Sequence, residues 1–283
     1  MQYTIKETTE IKGIGLHSGC DSTLVIEPAE ENFGIQFFRS DLPLEQPIRA
    51  LYSNVVDVRN CTCIGSSPQN IISTIEHLMA ALYIQGIDNA KISINNPEIP
   101  ILDGSAKVIL DKIQQVGKKQ QNAPRHYLKI IKEIFFDDGK GGSITLLPAE
   151  SLHICFDIEF PSKIVGHQQF DEDITVENFT KEIAPSRTFC EKYQVDYLKS
   201  IGLIKGGSLE NAVVLDGETI LNPEGFRVQN ECVKHKVLDV IGDMYTSGYH
   251  ILAKIVANKS GHYHNNEVLK KLFSSKDNYR IIE

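Results

Sequence analysis

One short polar segment most constrains how this chain folds. Residues 118–124, Lys-Lys-Gln-Gln-Asn-Ala-Pro, are poor in apolar side chains and end in proline, which is typical of a linker. The chain before this segment and the chain after it show the same series of elements: short apolar or β-branched runs, a helix, a strand and a further helix. We therefore predict an α+β protein with two domains of similar plan, residues 1–122 and 127–283.

Hydrophobic spacing places the individual elements. Apolar side chains recur at helical spacing in the predicted helices, whereas the predicted strands alternate or are continuously apolar. The predicted strands are 23–26, 34–38, 88–94, 127–136, 143–147, 152–160, 212–215 and 249–257. The predicted helices are 75–83, 106–116, 191–200, 230–247 and one that begins at Gly261 or His262.

The composition limits the classes of function. The chain has 283 residues, 41% hydrophobic and 23% charged, which is the balance of a globular protein. Its net charge of -8 and the lack of a dense Lys/Arg tract argue against a nucleic-acid interface. No apolar run has transmembrane length and residues 1–6 lack an apolar signal core, so we expect a cytoplasmic protein. The 6 cysteines are scattered, which argues against a disulfide framework.

The strongest chemical signal is a repeated polar position in the predicted helix 230–247. His235, Asp239 and Asp243 follow one another at intervals of about one helical turn, so they project from one face. The alternative is a solvated polar stripe. The neighbouring residues argue against it, since they are Val237, Leu238, Val240, Ile241 and Met244. Buried acids need partners, and His235 with Asp239 can form two corners of a tetrahedral zinc site.

A second candidate pair lies at the start of the predicted helix 75–83. His77 can supply a third metal ligand, and Glu76, about 100° around the helix, can act as a base on water beside the metal. Three protein ligands and an open corner are typical of catalytic zinc. The alternatives are a capping box, in which Ser73 pairs with Glu76, and a structural role for His77. The pair is not an HExxH motif, because Ala81 stands where the second histidine would be.

Two further stretches add weaker candidates. Ser260 lies where a strand ends and a helix begins, a junction at which polar residues often line a site, although it could simply be an N-cap. Position alone does not decide whether His262 or His264 would be the working histidine there. Thr188 is a loop hydroxyl of the kind that can donate to an oxyanion.

Seven segments, in order along the chain, resemble the zinc-dependent UDP-3-O-acyl-N-acetylglucosamine deacetylases of lipid A biosynthesis. They are 13–19 (GIGLHSG), 72–78 (ISTIEHL), 97–105 (PEIPILDGS), 186–189 (SRTF), 202–208 (GLIKGGS), 235–243 (HKVLDVIGD) and 259–262 (KSGH). One such segment would be a weak signal, whereas seven in the family's order over essentially the whole chain are specific. The resemblance implies that each domain is a layered sandwich of sheet and helices, with the active site between the domains.

The resemblance also implies roles for single residues. The metal ligands fall on His77, His235 and Asp239, the general base on Glu76, and the catalytic histidine on His262 rather than on its neighbour two residues on. The metal would be zinc, although iron(II) tolerates the same donors.

Further roles follow from the same resemblance. Asp243 would orient the catalytic histidine, Thr188 would lie near the reacting carbonyl, and Lys236 would lie near the substrate. Looser matches for nucleotide-sugar contacts are Phe160 and Lys259. Residues that fall in the family's acyl passage are Val195, Leu198 and Ile204. The chain departs from the family at Tyr263 and His264, where relatives often have small residues.

The implied reaction is hydrolysis of the N-acetyl group of UDP-3-O-acyl-N-acetylglucosamine to acetate and UDP-3-O-acyl-glucosamine, the committed step of lipid A biosynthesis. The expected partner is this UDP-sugar lipid, with transient contact to the inner membrane, no nucleic acid and a monomeric chain. Three alternatives stay open at this point: a nucleotide-sugar-binding protein without catalysis, a structural two-domain protein, and a zinc amidase for another acetylated sugar.

Overall fold

The computed structural model describes all 283 residues and confirms the predicted α+β class. The N-terminal half, residues 1–122, contains β1 Tyr3–Ile5, β2 Thr9–Ile14, β3 Asp21–Pro28, β4 Ile35–Arg39, β5 Ile48–Arg49, β6 Val55–Asp57, β7 Cys63–Gly65, β8 Ile71–Ile72, α1 Glu76–Gln85, β9 Ala90–Ile94, α2 Lys107–Val116 and β10 Lys118–Gln120. The C-terminal half, residues 123–283, contains β11 Tyr127–Ile130, β12 Ile134–Asp137, β13 Ser143–Pro148, β14 Leu152–Glu159, β15 His167–Asp173, α3 Val176–Asn178, β16 Phe189–Glu191, α4 Lys192–Ser200, β17 Val213–Asp216, β18 Thr219–Ile220, α5 Glu231–Tyr245, β19 His250–Asn258, α6 His262–Phe273 and β20 Tyr279–Ile282. None of the helices combines the length and the apolar character needed to cross a membrane.

The N-terminal half is built around a five-stranded mixed sheet in the order β2-β3-β9-β4-β5. β9 lies at its centre, antiparallel to β3 and parallel to β4. Alternate side chains of these strands are buried, among them Leu24 and Ile26 of β3, so one face of the sheet joins the core. β6, β7 and β8 form a separate three-stranded sheet that leads into α1.

The C-terminal half contains one large and one three-stranded sheet. Its seven-stranded sheet is centred on β19, which is parallel to β11 and β14 and antiparallel to β13. β12, β15 and β20 lie at the outer positions of this sheet. β16, β17 and β18 form the small sheet, which leads toward α5.

The two halves meet where α1 packs against α5. Gly242 of α5 permits a close approach, because a Cβ at this position would lie 2.0 Å from the carbonyl oxygen of Glu76. A single cluster of 58 buried hydrophobic residues runs through both halves. The division into domains 1–122 and 127–283 therefore stays a prediction, since the core does not separate between them.

Two local predictions differ from the structure, and several short or outer strands were not predicted. Residues 118–124 are not a free linker, because β10 pairs antiparallel with β1. The predicted strand 127–136 is divided into β11 and β12, which belong to different parts of the large sheet. The sequence did not predict β15 and β20, because these outer strands bury few side chains and lack a clear apolar alternation.

Candidate metal centre and active site

Three side chains from α1 and α5 converge in the interior, where the helices meet. Nε2 of His77 lies 3.7 Å from Oδ1 of Asp239, and Nε2 of His235 lies 3.5 Å from the same oxygen. The donor atoms of the three residues lie within 4.8 Å of one another, and all three residues are buried. Two imidazoles and a carboxylate at these separations form a ligand set for a divalent metal such as zinc. We call His77, His235 and Asp239 the metal cluster.

The protonation and hydrogen bonding of the metal cluster fit a cation. Oδ1 of Asp239 is buried and has no hydrogen-bond partner, whereas Oδ2 accepts a 2.6 Å hydrogen bond from Nζ of Lys236. Burial lowers the pKa of His77 to about 3 and also lowers the pKa of His235, so both rings are neutral and have a lone pair to donate. Burial opposes ionisation of Asp239, but Lys236 and then the histidines hold its pKa below the usual range.

The loop before β16 orients His235. Nδ1 of His235 donates to the carbonyl oxygen of Ser186 at 3.0 Å, which leaves Nε2 free to face Asp239. The next residue, Arg187, is fully buried, and its backbone N–H and its Nε each donate to Glu231 at 2.9 Å. Glu231 is the first residue of α5, so this ion pair ties the loop to the helix that carries His235.

Glu76 opens α1 directly beside the metal cluster. Its Oε2 accepts the backbone N–H of Thr62 at 3.0 Å, and its Oε1 lies 3.9 Å from Nε2 of His262. The capping-box alternative is wrong, because the helix begins after Ile75 without a side-chain cap and the hydroxyl of Ser73 donates to a loop carbonyl. Burial raises the pKa of Glu76 to about 8, against the opposing effect of His262.

His262, at the start of α6, is paired with a buried carboxylate. Its Nδ1 donates to Oδ2 of Asp243 at 2.7 Å. Asp243 also accepts the hydroxyl of Thr62 at 2.6 Å and the side-chain amide of Asn265 at 2.8 Å. Burial opposes the charged form of His262, but Asp243, together with Glu76 and Asp239, raises the pKa of His262 to about 9. His262 is therefore cationic at neutral pH.

The structure separates the two histidines between which sequence position could not choose. His262 lines the main cavity, whereas His264 does not. Nδ1 of His264 accepts the backbone N–H of Gly261 at 3.3 Å, and its Nε2 lies 3.3 Å from a carboxylate oxygen of Asp138. His264 thus caps α6 from within, and Gly261 rather than Ser260 is the N-cap residue.

A cavity of about 1140 Å³ opens onto the metal cluster, Glu76 and His262. Thr188 and Lys236 line it. The predicted acyl-passage residues line it as well: Val195, Leu198 and Ile204. Other apolar side chains of its wall are Leu16, Ile101, Ile201, Leu203, Leu209 and Leu221. Charged groups and a broad apolar wall therefore share one cavity.

The two looser nucleotide-sugar candidates lie outside this cavity. Phe160 lines a smaller adjoining cavity of about 140 Å³, which Thr188 shares, and it packs edge-on against Phe189 with ring centroids 5.1 Å apart. Lys259 lines neither cavity, and its Nζ lies 2.6 Å from Oε2 of Glu159 at the surface. Of the site residues predicted from the sequence, all except Lys259 therefore lie in one region, at the two adjoining cavities or beside them.

Sequence reasoning missed Thr62, Asn265 and His17. Thr62 bonds both Glu76, through its backbone, and Asp243, through its hydroxyl. His17 lines the main cavity, and both of its ring nitrogens are buried without a hydrogen-bond partner. A threonine between two cysteines carries no chemical signal of its own. His17 lies in the 13–19 segment, but nothing in the spacing shows that this loop reaches the site.

Fold and site together define a class of protein. A buried pair of neutral histidines with a carboxylate, beside a second carboxylate and a cationic histidine in one cavity, is typical of metal-dependent hydrolases. A family model described as UDP-3-O-acyl N-acetylglycosamine deacetylase matches residues 2–274. The chain therefore belongs to this family of hydrolases, which confirms the resemblance seen in the sequence.

Curated relatives agree with the family model. Proteins named UDP-3-O-acyl-N-acetylglucosamine deacetylase match over nearly their whole length. The one from Syntrophotalea carbinolica is 42% identical over 282 residues, covering 100% of this chain and 91% of the relative. Those from Sulfurimonas denitrificans and Bdellovibrio bacteriovorus are 41% and 40% identical, covering 100% of this chain and 95% and 93% of the relatives.

Proposed function

We propose that this chain hydrolyses the N-acetyl group of UDP-3-O-acyl-N-acetylglucosamine in a zinc-dependent reaction. The products would be acetate and UDP-3-O-acyl-glucosamine, in the committed step of lipid A biosynthesis. Membership of the family supports this substrate. The observation that carries the chemistry is the metal cluster with Glu76 and His262 beside it, their Oε1 and Nε2 atoms 3.9 Å apart in the same cavity.

The metal would be held by His77, His235 and Asp239. When bound there, zinc supplies Lewis acidity that polarises the acetamide carbonyl and activates water at neutral pH. The same donors are compatible with iron(II). Because the two imidazoles are already neutral and the carboxylate is ionised, the cluster can take a cation without first losing protons.

Glu76 would be the general base. Thr62 occupies one of its carboxylate oxygens, which leaves Oε1 on the side of His262 and the cavity. This oxygen would accept a proton from water as the new bond to the carbonyl carbon forms. A pKa near the working pH suits such a group, and the ionised fraction of Glu76 grows as the pH rises through about 8.

His262 would stabilise the oxyanion and act as the general acid. Its Nδ1–H is held by Asp243, so the proton that can be given away is the one on Nε2. When the C–N bond breaks, this proton would pass to the leaving amine and acetate would be released. The hydroxyl of Thr188, which lines the same cavity, would donate to the oxyanion.

The apolar wall would take the acyl chain. Val195 and Leu198 of α4, together with Ile204, supply part of this wall. Phe160, in the adjoining small cavity, would contact the nucleotide sugar. Lys259 would have to leave its ion pair with Glu159 before it could do the same. The monomeric state, the cytoplasmic location and the transient membrane contact stay predictions from the sequence.

Metal content and turnover of a Glu76→Gln variant test this proposal. The amide keeps the size of the side chain but cannot accept the proton, so we expect kcat to fall by about 10²–10⁴-fold. Zinc content should stay at the level of the parent. Acetate release from UDP-3-O-acyl-N-acetylglucosamine measures the first quantity and elemental analysis the second.

Matched controls separate the parts of the proposal. His235→Ala should lose zinc as well as turnover, and chelation of the parent should abolish activity that added zinc restores. Normal turnover in Glu76→Gln would overturn the assignment of the base. Zinc binding without release of acetate would favour a binding protein, and faster turnover of another N-acetylated sugar would overturn the substrate.

A further inference from the structure

A second group of metal-ligating side chains lies on the outer face of the large C-terminal sheet, away from the metal cluster. It consists of His153 and Cys155 on β14 and Asp171 on the neighbouring strand β15. Donor atoms of these three residues lie within 4.8 Å of one another. Neither the proposed hydrolysis nor the cavities use any of them.

The register of the sheet assembles this group. His153 and Cys155 stand two residues apart, so they project from the same face of β14. In the antiparallel pairing with β15, Cys155 lies opposite Asp171 and His153 lies opposite Asp173. The residues between them, such as Ile154, point into the core. Four chemically active side chains therefore form a compact square on two regular, paired strands.

The distances within this square are short. One oxygen of Asp171, Oδ1, lies 2.8 Å from Sγ of Cys155 and 2.7 Å from Nε2 of His153. Thiol, imidazole and carboxylate thus already face one point. Sulfur and nitrogen donors together select zinc and other borderline-soft divalent metals rather than magnesium or calcium.

Asp173 adds an independent feature that is typical of metal sites. Its Oδ1 lies 3.1 Å from Nδ1 of His153, on the opposite side of the ring from Asp171. A carboxylate that accepts the Nδ1–H of a histidine fixes the tautomer whose Nε2 lone pair faces the metal. Here that lone pair would face Cys155 and Asp171.

We propose that His153, Cys155 and Asp171 form a second site for a borderline-soft divalent metal such as zinc or cobalt(II), with Asp173 orienting His153. Binding displaces the proton of the Cys155 thiol, which leaves to solvent, so that the thiolate, the imidazole Nε2 and a carboxylate oxygen become the ligands. Solvent completes the coordination, since the face is open to water. Because β15 pairs only with β14, the metal would also fasten an outer strand of the sheet.

The same contacts have a simpler explanation, in which no metal binds. A protonated His153 can donate to Asp171 and Asp173 at once, as a surface imidazolium held between two carboxylates. The two explanations differ at Cys155, because the imidazolium needs no thiolate. A signal specific to a metal–thiolate bond therefore decides between them.

Cobalt(II) titration of the full-length protein supplies this signal. The protein is first loaded with one equivalent of zinc and kept in a non-thiol reductant. The metal cluster has no sulfur donor, so a thiolate-to-cobalt charge-transfer band in the near ultraviolet reports cobalt bound to a cysteine, and its loss in Cys155→Ser assigns that cysteine. We expect the parent to show this band on binding one further equivalent of cobalt, and Cys155→Ser and His153→Ala to lack it.

Two more variants sharpen the test. Asp173→Asn should keep the band but weaken cobalt affinity by about 10-fold, because the ligands remain and only the orienting carboxylate is lost. His167→Gln is the matched control: it removes the His167–Asp157 pair from the same two strands, and the band should be unchanged.

The outcomes also separate this proposal from the proposed function. Absence of the band in the parent, or a band that persists in Cys155→Ser, overturns the second site and leaves the imidazolium explanation. The band does not depend on turnover, so a protein that shows it but fails to release acetate would contradict only the proposed hydrolysis.

Discussion

Two histidines lie equally deep in this protein, His262 and His250, each 8% exposed, yet their protonation is opposite. The pKa of His262 is raised to about 9 despite its burial, whereas burial lowers the pKa of His250 to about 3. Each has a carboxylate nearby. Asp243 lies 2.7 Å from His262, and Asp88 lies 3.8 Å from His250.

The difference lies in what already compensates each carboxylate. Asp88 accepts two 2.7 Å hydrogen bonds from the guanidinium of Arg125, so its charge is matched before the histidine approaches. Asp243 accepts only neutral donors apart from its histidine, from Thr62 and Asn265. Its negative charge is therefore available to an imidazolium. Depth of burial does not decide whether a buried histidine holds a proton; the pairing of its neighbours does.

Removing the charged histidine should have the largest effect on turnover. In His262→Ala the general acid is lost, and we expect kcat to fall by about 10²–10⁴-fold while zinc content is kept. Acetate release and elemental analysis measure the two quantities. His264→Ala is the control, because His264 caps α6 outside the cavity. An equal loss of rate in that control would contradict the choice of His262.

Removing the charge that keeps His262 protonated should have the next largest effect. Asp243→Asn lowers the pKa of His262, and we expect kcat to fall on the order of 100-fold at neutral pH. The pKa of His262 is raised in the folded protein. Activity that needs the His262 cation is therefore present below about pH 9 and lost as the pH rises through that value. In the variant this loss should move to lower pH in a profile of kcat/KM. An unshifted basic limb would show that Asp243 does not set this pKa.

Removing a neutral donor to the same carboxylate should have a smaller effect. Thr62→Val loses the hydroxyl bond to Asp243 but keeps the backbone N–H that holds Glu76. A hydrogen bond to a charged group contributes about 1.5 kcal/mol, so kcat should fall on the order of 10-fold. Thr62→Ser, which keeps the hydroxyl, is the matched variant and should behave as the parent. If both variants lose rate equally, the hydroxyl is not the cause.

Removing the neutral histidine should leave turnover unchanged and alter only the dependence of stability on pH. The folded pKa of His250 is depressed to about 3, so the unfolded chain binds more protons between that value and the ordinary value of 6.5. The stabilisation of the fold by neutral His250 is complete above pH 6.5. It is lost as the pH falls below this value, by about 2 kcal/mol between pH 7 and pH 5. His250→Gln does not titrate, so this part of the pH dependence should vanish in denaturant unfolding.

The pH series supplies its own control. His250→Gln and the parent should differ in slope below about pH 6.5, where the unfolded histidine takes up its proton, and run parallel above it. Parallel curves over the whole range would mean that His250 titrates in the folded protein as it does in the unfolded chain, and the contrast with His262 would fail.

The sequence predicted the polar face of α5 because helical spacing is local. The predicted helix 230–247 is Glu231–Tyr245, and its three polar residues, His235, Asp239 and Asp243, are all buried toward the site. Glu76 was placed correctly at a helix start, and only the alternative capping role was wrong. The N–H that it accepts belongs to Thr62, which comes from a different element, and local spacing contains no information about such a contact.

By itself, then, the sequence determined the α+β class, the positions of the helices that carry the site and, through seven ordered segments, the family. The resemblance already preferred His262 to His264, although residue spacing alone did not. Only the tertiary structure decided that Thr62 joins two carboxylates and which buried histidine is charged. The physical reason is the distance along the chain over which each property is determined. Helical and strand periodicity depend on neighbours within a turn or a pair of residues, whereas a pKa depends on charges and donors that folding brings close from distant parts of the chain.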